Sequence, residues 1–210
     1  MRKHLLAFGS AALMLTAAAQ AQSETTPYNE MPGGEYVLDK SHASLTWKVS
    51  HFGLSNYTAR FTRFDASIDF DPANPANSTL SVTVDPTSVE TDYPNAETKD
   101  FDKELAESDR WFNAGEFPEI SFVSTGIEMT GETTGIVTGD LTFMGVTKPA
   151  SLDVTFNSAF AERPFSGLAT LGFSATGTVT RSDWGMSGLV PNIGDDVDLL
   201  IEVEFYQPKD

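Results

Sequence analysis

The chain has 210 residues, 30 acidic against 13 basic, a net charge of −17, and no cysteine. That balance gives a surface that repels nucleic acid and the anionic headgroups of a membrane, so no nucleic-acid partner is expected. Without a disulfide, packing alone has to hold the domain together.

The N-terminus reads Met1-Arg2-Lys3-His4, then an apolar run over 5–19, then Ala19-Gln20-Ala21. This is the charged start, short greasy middle and small-residue cleavage site of a secretory signal peptide over 1–21. Cleavage after Ala21 and export to the periplasm are expected. The mature chain then loses Arg2 and Lys3, which leaves 11 basic against 30 acidic side chains and a net charge of −19. The apolar run is too short to span a bilayer and no cysteine follows it to take a lipid, so no stable membrane insertion is expected. Residues 22–34 are polar, carry Pro27 and Pro32 and show no period, which predicts a flexible leader before a folded domain over 35–207.

From Glu35 onward the pattern is that of half-buried strands. Leu45, Trp47, Val49 and His51 share one parity, while Ser44, Thr46, Lys48 and Ser50 share the other. Over 58–70, Phe64, Ala66, Ile68 and Phe70 alternate, but Phe61 falls on the opposite parity. A bulge or sharp bend near Thr62 would turn both Phe61 and Phe64 inward. A turn over 71–77 with Pro72 and Pro75 leads to a short strand carrying Leu80, Val82 and Val84, which Pro86 ends.

Between Asn95 and Asn113 the period changes, with Phe101, Leu105 and Phe112 near helical spacing and Asn95 as N-cap, which predicts one helix that covers an end of the sheet. Strands resume with Ile120, Phe122 and Ser124. Next comes a hairpin over 139–149: Val137, Leu141 and Phe143 lead in, Gly145 supplies the turn, and Pro149 marks a strand start with Ala150, Leu152, Val154 and Phe156 leading out. The stretch 168–181 alternates Ala169, Leu171, Phe173, Ala175, Gly177 and Val179 against threonines and serines. A last strand over 197–206 points Val197, Leu199, Ile201, Val203 and Phe205 inward.

The total is eight antiparallel strands with one helical insertion, an all-β fold. Long strands and small inward residues, Ala66, Ala169, Ala175 and Gly177, favour closure into a barrel over a sandwich. Those small residues either leave room for a ligand or let opposed aromatics interdigitate in a self-filled core, and the sequence leaves both open. Lys48, Asp65, Asp69, Asp153, Glu202 and Glu204 lie opposite the apolar faces, which argues against an outer-membrane barrel with a greasy exterior.

Catalytic and metal signals are thin, and no enzymatic activity is expected. Gly185-Met-Ser187-Gly-Leu189 misses the nucleophile elbow because its second glycine comes one place early. In Asp100-Phe-Asp102-Lys-Glu104 the glycine of a calcium loop is replaced by Leu105, so a solvated helix face is expected. The Asp195, Asp196, Asp198 run either touches a cation weakly or is a charged turn before the last strand, and the sequence leaves both open. Only His42 and His51 remain after cleavage, on opposite parities of one segment, so no metal site is expected. His51 lies at a strand end, where it meets either a ligand's head or a loop carbonyl.

Asp39 with His42, His51-Phe-Gly53, the Phe61 and Phe64 pair, Asp71-Pro72, the Phe112, Phe117-Pro118, Phe122 and Ser124 run, and the hairpin over 139–149 are the marks of a resemblance. With them, residues 36–205 resemble the YceI-like family of periplasmic polyisoprenoid-binding proteins. The resemblance implies a lipocalin-like barrel that encloses an amphiphile with an isoprenoid tail, such as a polyprenyl phosphate or a quinone, with no cofactor required and no catalytic residue. Ala59 and Ala66 stand where many members have glycine, and Glu104 stands where many have histidine. The family has no short binding motif to transfer, so parity nominates the lining: Leu45, Trp47, Val49, His51, Phe61, Phe64, Phe122, Leu141, Phe143, Phe156, Leu171 and Phe173. The expected function is non-enzymatic binding or carriage of an apolar lipid, the alternative is an interaction or enzyme-accessory protein with a self-filled core, and homodimerisation stays open.

Overall fold

The computed structural model describes residues 24–209, so the signal peptide read over 1–21 lies outside the described residues. Ten strand segments form one antiparallel sheet: β1 Gly34–His51, β2 Ser55–Phe61, β3 Phe64–Phe70, β4 Thr79–Val84, β5 Val89–Glu90, β6 Ile120–Met129, β7 Thr134–Phe143, β8 Val146–Phe160, β9 Thr170–Thr180 and β10 Ile193–Tyr206. The order is β10-β9-β8-β7-β6-β4-β3-β1-β2-β5, and pairing of β10 with β1 closes the sheet. β2 and β3 are two arms of one bent strand, both paired to β1, and β5 is a two-residue appendage on β2. The result is a closed eight-stranded barrel with no free edge along its main wall.

The bend between Phe61 and Phe64 falls where the parity break predicts. Thr62 and Arg63 leave the ladder and are tied instead to the turn at Pro86–Ser88, through Thr62 N–H to Ser88 O at 3.0 Å and Arg63 N–H to Ser88 Oγ at 3.0 Å. A second parity change, not legible beforehand, occurs inside β1. Tyr36 and Leu38 face inward on even numbers, whereas Leu45, Trp47 and Val49 face inward on odd ones. A bulge reconciles them, because Leu38 faces Phe205 while Ala43 already faces Val203. Asp39 locks this bulge by accepting from Ser41 N–H at 3.0 Å and bonding His42 Nδ1 at 2.8 Å.

The hairpin between β7 and β8 closes on Met144 and Gly145, both at positive φ (48° and 72°), as a two-residue loop matched to the strand twist requires. A Cβ at Gly145 would also lie 2.6 Å from the Phe117 ring, so glycine is required twice over. Pro149 sits inside β8 rather than at its start. It faces Asp140 on β7, and β9 joins the other edge only from Asp153, so no ladder bond is lost there.

Two further expectations need correction. The helix, α1, is Phe101–Glu107, capped by Asp100, whose side chain accepts from Lys103 N–H at 2.9 Å. Asn95 is a turn residue at φ 63°, and Pro94 with the polar run to Lys99 offers no apolar stripe to extend the helix. The leader read over 22–34 is laid down on the barrel from its middle onward. Thr26 N–H donates to Ala159 O at 2.8 Å, the Tyr28 ring meets Phe156 edge-on at 5.9 Å, Met31 is 3% exposed, and Gly34 already belongs to β1.

Candidate ligand-binding site

Inward side chains leave the barrel axis partly empty. An upper cavity of about 500 Å³ lies beneath α1, and a lower one of about 170 Å³ lies toward the docked N-terminal segment. Leu45, Val82, Leu152 and Ile201 belong to the walls of both, so the two spaces are neighbours that meet at a waist formed by these side chains. Its size falls in the range that accommodates a small ligand, and its walls are mainly hydrocarbon.

Most residues nominated by parity meet here. Trp47, Val49, Phe61, Phe122, Leu141 and Phe143 line the upper cavity with His51 at its rim; Phe64, Phe156 and Phe173 line the lower one; Leu45 sits at the waist. The aromatics form two groups, edge-to-face except for the tilted Phe112–Phe143 pair. Phe112, carried in by the segment after α1, meets Phe61 at 5.3 Å, Phe143 at 6.1 Å and Trp47 at 6.5 Å between ring centres. Below, Phe173 meets Phe156 at 5.6 Å and Phe205 at 6.1 Å.

Leu171 is the exception. It is 0% exposed and lines neither cavity, because with Tyr36, Ala159 and Phe205 it fills the solid lower plug. Tyr36 in that plug donates to Pro32 O at 2.7 Å, and burial pushes its phenol up to about 12. His51 is exposed, packs its ring edge-on against Phe52 at 4.8 Å, and makes no side-chain hydrogen bond among the described residues.

Sequence reading missed two groups of wall residues. Aliphatic positions such as Ile68, Val137, Val154 and Val203 share the inward parity but were passed over in favour of aromatics. Residues from irregular segments, Tyr28, Arg110, Trp111, Arg181, Met186 and Leu189, carry no period and left no signal.

Arg181 organises the upper rim. It is 3% exposed, and its guanidinium donates to four carbonyls: Met186 at 2.7 Å, Gly194 at 2.8 Å, Gly188 at 2.9 Å and Ile193 at 3.0 Å. Burial pushes its pKa down and Asp195 pushes it back up, and it remains a cation at any working pH. The near-elbow Gly185 to Leu189 is the loop this side chain shapes, with Gly185 capping the turn Arg181–Trp184 at φ 94°. Ser187 has no bonded histidine or carboxylate among the described residues, so it lacks the base a nucleophile needs.

The remaining polar runs are structural. Asp102 accepts from Thr91 N–H at 3.0 Å and from its hydroxyl, while Asp195 accepts from Ser182 N–H at 2.9 Å and Oγ at 2.7 Å. Asp39, His42 and Glu204 bring three ligand-type atoms within 4.8 Å of one another. The Arg163 guanidinium already stands there, 3.0 Å from Asp39 and 2.9 Å from Glu204, in the place a cation would take.

A tapering apolar interior in an eight-stranded barrel, reached past an α-helical cover, is the geometry that the sequence marks anticipate. Residues 36–205 match the family model of the YceI-like domain. The chain belongs to the YceI-like family. Among its YceI-like relatives, a UPF0312 protein of Pseudomonas fluorescens (strain SBW25) is 36% identical over 182 residues, covering 86% of this chain and 90% of the relative. The crystal structure of the Campylobacter jejuni YCEI protein is similar at 32% identity and a TM-score of 0.66, covering 77% of this chain and 91% of that one. A polyisoprenoid binding domain from Saccharophagus degradans, implicated in plant cell wall breakdown, has a TM-score of 0.60 over 84% of this chain and 100% of its own. At 12% identity the likeness to that domain is one of fold.

Proposed function

We propose that this YceI-like protein is a non-enzymatic binder or carrier of a long apolar amphiphile, such as a polyisoprenoid or an isoprenoid quinone, held lengthwise inside the barrel. The observation that carries this reading is the pair of neighbouring apolar spaces inside the barrel, about 500 Å³ above the waist and 170 Å³ below it. A self-filled core would have closed that space, since a void forfeits dispersion contacts along its whole wall. The polyisoprenoid binding domain from Saccharophagus degradans, which shares the fold, lends support to the choice of ligand. The charged start and Ala19-Gln20-Ala21 site support export to the periplasm, where a water-filled gap separates two membranes and an apolar lipid needs a protein to shield it.

The test is organic extraction of the protein purified from its exported form, followed by mass spectrometry. An isoprenoid or other long-chain lipid in about one-to-one ratio is the expected result. Extracts free of lipid, together with no uptake of added farnesol or ubiquinone by the delipidated protein, would remove the proposal.

A further inference from the structure

The two ends of the interior differ in charge. We infer that Arg110 at the upper rim recognises an anionic head on the bound amphiphile, so that the head sits beneath α1 and the tail runs down past the waist toward Phe156 and Phe173. This inference rests on the binding function proposed above and adds to it the class of head and the direction in which the ligand lies.

Three cations line the upper cavity, and two are already occupied. Lys99 pairs with Glu104 at 3.1 Å, and Arg181 is saturated by carbonyls. Arg110 is exposed and has no carboxylate partner among the described residues, in a chain where acids outnumber bases by more than two to one. An unpaired guanidinium in so acidic a protein is not explained by the fold. Its stem is nonetheless seated: a Cβ at Gly188 would come within 2.5 Å of Arg110 Cγ, so that glycine is what lets the side chain lie on the rim loop.

The surroundings add to the same field. Arg181 adds a buried cation to this rim, partly offset by the nearby carboxylate of Asp195, which Ser182 also engages. The lower cavity carries no cation on its wall, and its charged residue is Glu132, exposed and without a basic partner among the described residues. An anionic head is therefore attracted at one end and repelled at the other. Trp47, on the upper wall, also holds a buried indole N–H with no acceptor among the described residues, and an oxygen-bearing head in this cavity offers one.

The test compares ligands with one tail and two heads. Farnesyl monophosphate and farnesol are titrated into delipidated protein, and into Arg110→Gln and Arg110→Lys variants that keep the stem on Gly188. The native protein should prefer the phosphate by about tenfold, or ~1.4 kcal/mol. Arg110→Gln should reduce that preference to about twofold or less, with its circular dichroism spectrum and Tm serving as the folding control. Arg110→Lys should retain most of it, and added salt should weaken it. Palmitate against hexadecanol repeats the comparison for a carboxylate head. An Arg110-dependent preference in either pair supports the inference and says which anion is favoured. If farnesol binds but neither anion is preferred, or if the preference survives in Arg110→Gln, the inference falls while the binding function stands. If none of the four compounds binds, the inference falls, and the lipid extraction described above decides the binding function separately.

Discussion

Removing the buried guanidinium should loosen the whole upper rim. Arg181→Ala leaves the carbonyls of Met186, Gly188, Ile193 and Gly194 without the donor that gathers them. A hydrogen bond to a charged group contributes about 1.5–3 kcal/mol. Water regains some of these carbonyls once the rim opens, so the four losses do not add, and about 3–5 kcal/mol is expected in total. For a domain of this size that corresponds to a fall in Tm of about 10 °C or more. Arg181→Lys keeps the charge but not the planar fork, and should lose about half as much. Urea unfolding followed by circular dichroism measures both. Met186, Leu189 and Ile193 on the same loop line the upper cavity, so farnesol affinity should fall with stability in Arg181→Ala. A loss below about 1 kcal/mol for Arg181→Ala would refute the claim that this side chain holds the rim, since such a value is typical of ordinary surface substitutions.

Phe173→Asp should empty the barrel, because a carboxyl in that apolar space either stays charged and excludes an apolar tail or takes up a proton and remains an unpaired polar group on the wall; a variant that folds and still yields lipid on extraction would move the tail elsewhere. Trp47 and Trp111 both line the upper cavity, so protein fluorescence should shift on adding an isoprenoid to delipidated protein and saturate near one ligand per barrel, while an unchanged spectrum would count against occupancy there. Burial pushes the Asp39 carboxyl up, but hydrogen bonds from His42, Ser41 N–H and Arg163 outweigh it and hold the group below its usual range. Its stabilisation is therefore present above the unfolded value of about 3.9 and lost as pH falls through the lower folded value. Asp39→Asn should accordingly be less stable than the native protein at neutral pH, with the gap between their unfolding curves closing below about pH 4. Chelation with EDTA should leave ligand retention unchanged, because Arg163 stands where a metal would bind, and lipid loss on chelation would contradict that assignment.

The barrel itself was legible because its strands obey a period of two and its breaks fall on residues that enforce them. Phe61 and Phe64 announced the bend by their clashing parity, and Gly145 announced the hairpin by the backbone a turn needs. The bulge over 39–42 hid because Tyr36 and Leu38 alone are too short a run to show that the inward parity had changed. Tyr28 and Met31 hid for a related reason: two apolar residues in a polar stretch have no period, and the cluster they join is built largely from strands far along the chain, with Phe156 of β8 meeting the Tyr28 ring. Ten of the wall residues read as aromatic or aliphatic by parity do line the interior with His51 at its rim, whereas Leu171 shares their parity but sits at a height where the barrel is solid. Parity fixes which side of a wall a residue faces and says nothing of how far along the axis it lies. Arg110 and Arg181 come from segments whose shape is set by hydrogen bonds to carbonyls, and such bonds leave no pattern in side-chain polarity.

The seam between β1 and β10 has a consequence for how the protein comes into being. Trp47 pairs with Leu199 and Val49 with Val197, so a wall of the upper cavity joins residues that lie about 150 positions apart along the chain. Contacts of that span form late, since the loop they close must lose its entropy before the pairing returns anything. Until β10 arrives, β1 presents an unpaired edge and the apolar faces of the other strands stand open like a sheet not yet rolled. The cavity therefore does not exist at any stage of synthesis before the last strand, and a lipid can be taken up only by a finished chain. A protein shortened by β10 loses more than one stave: it keeps the sticky surface and never acquires the space that surface was meant to enclose.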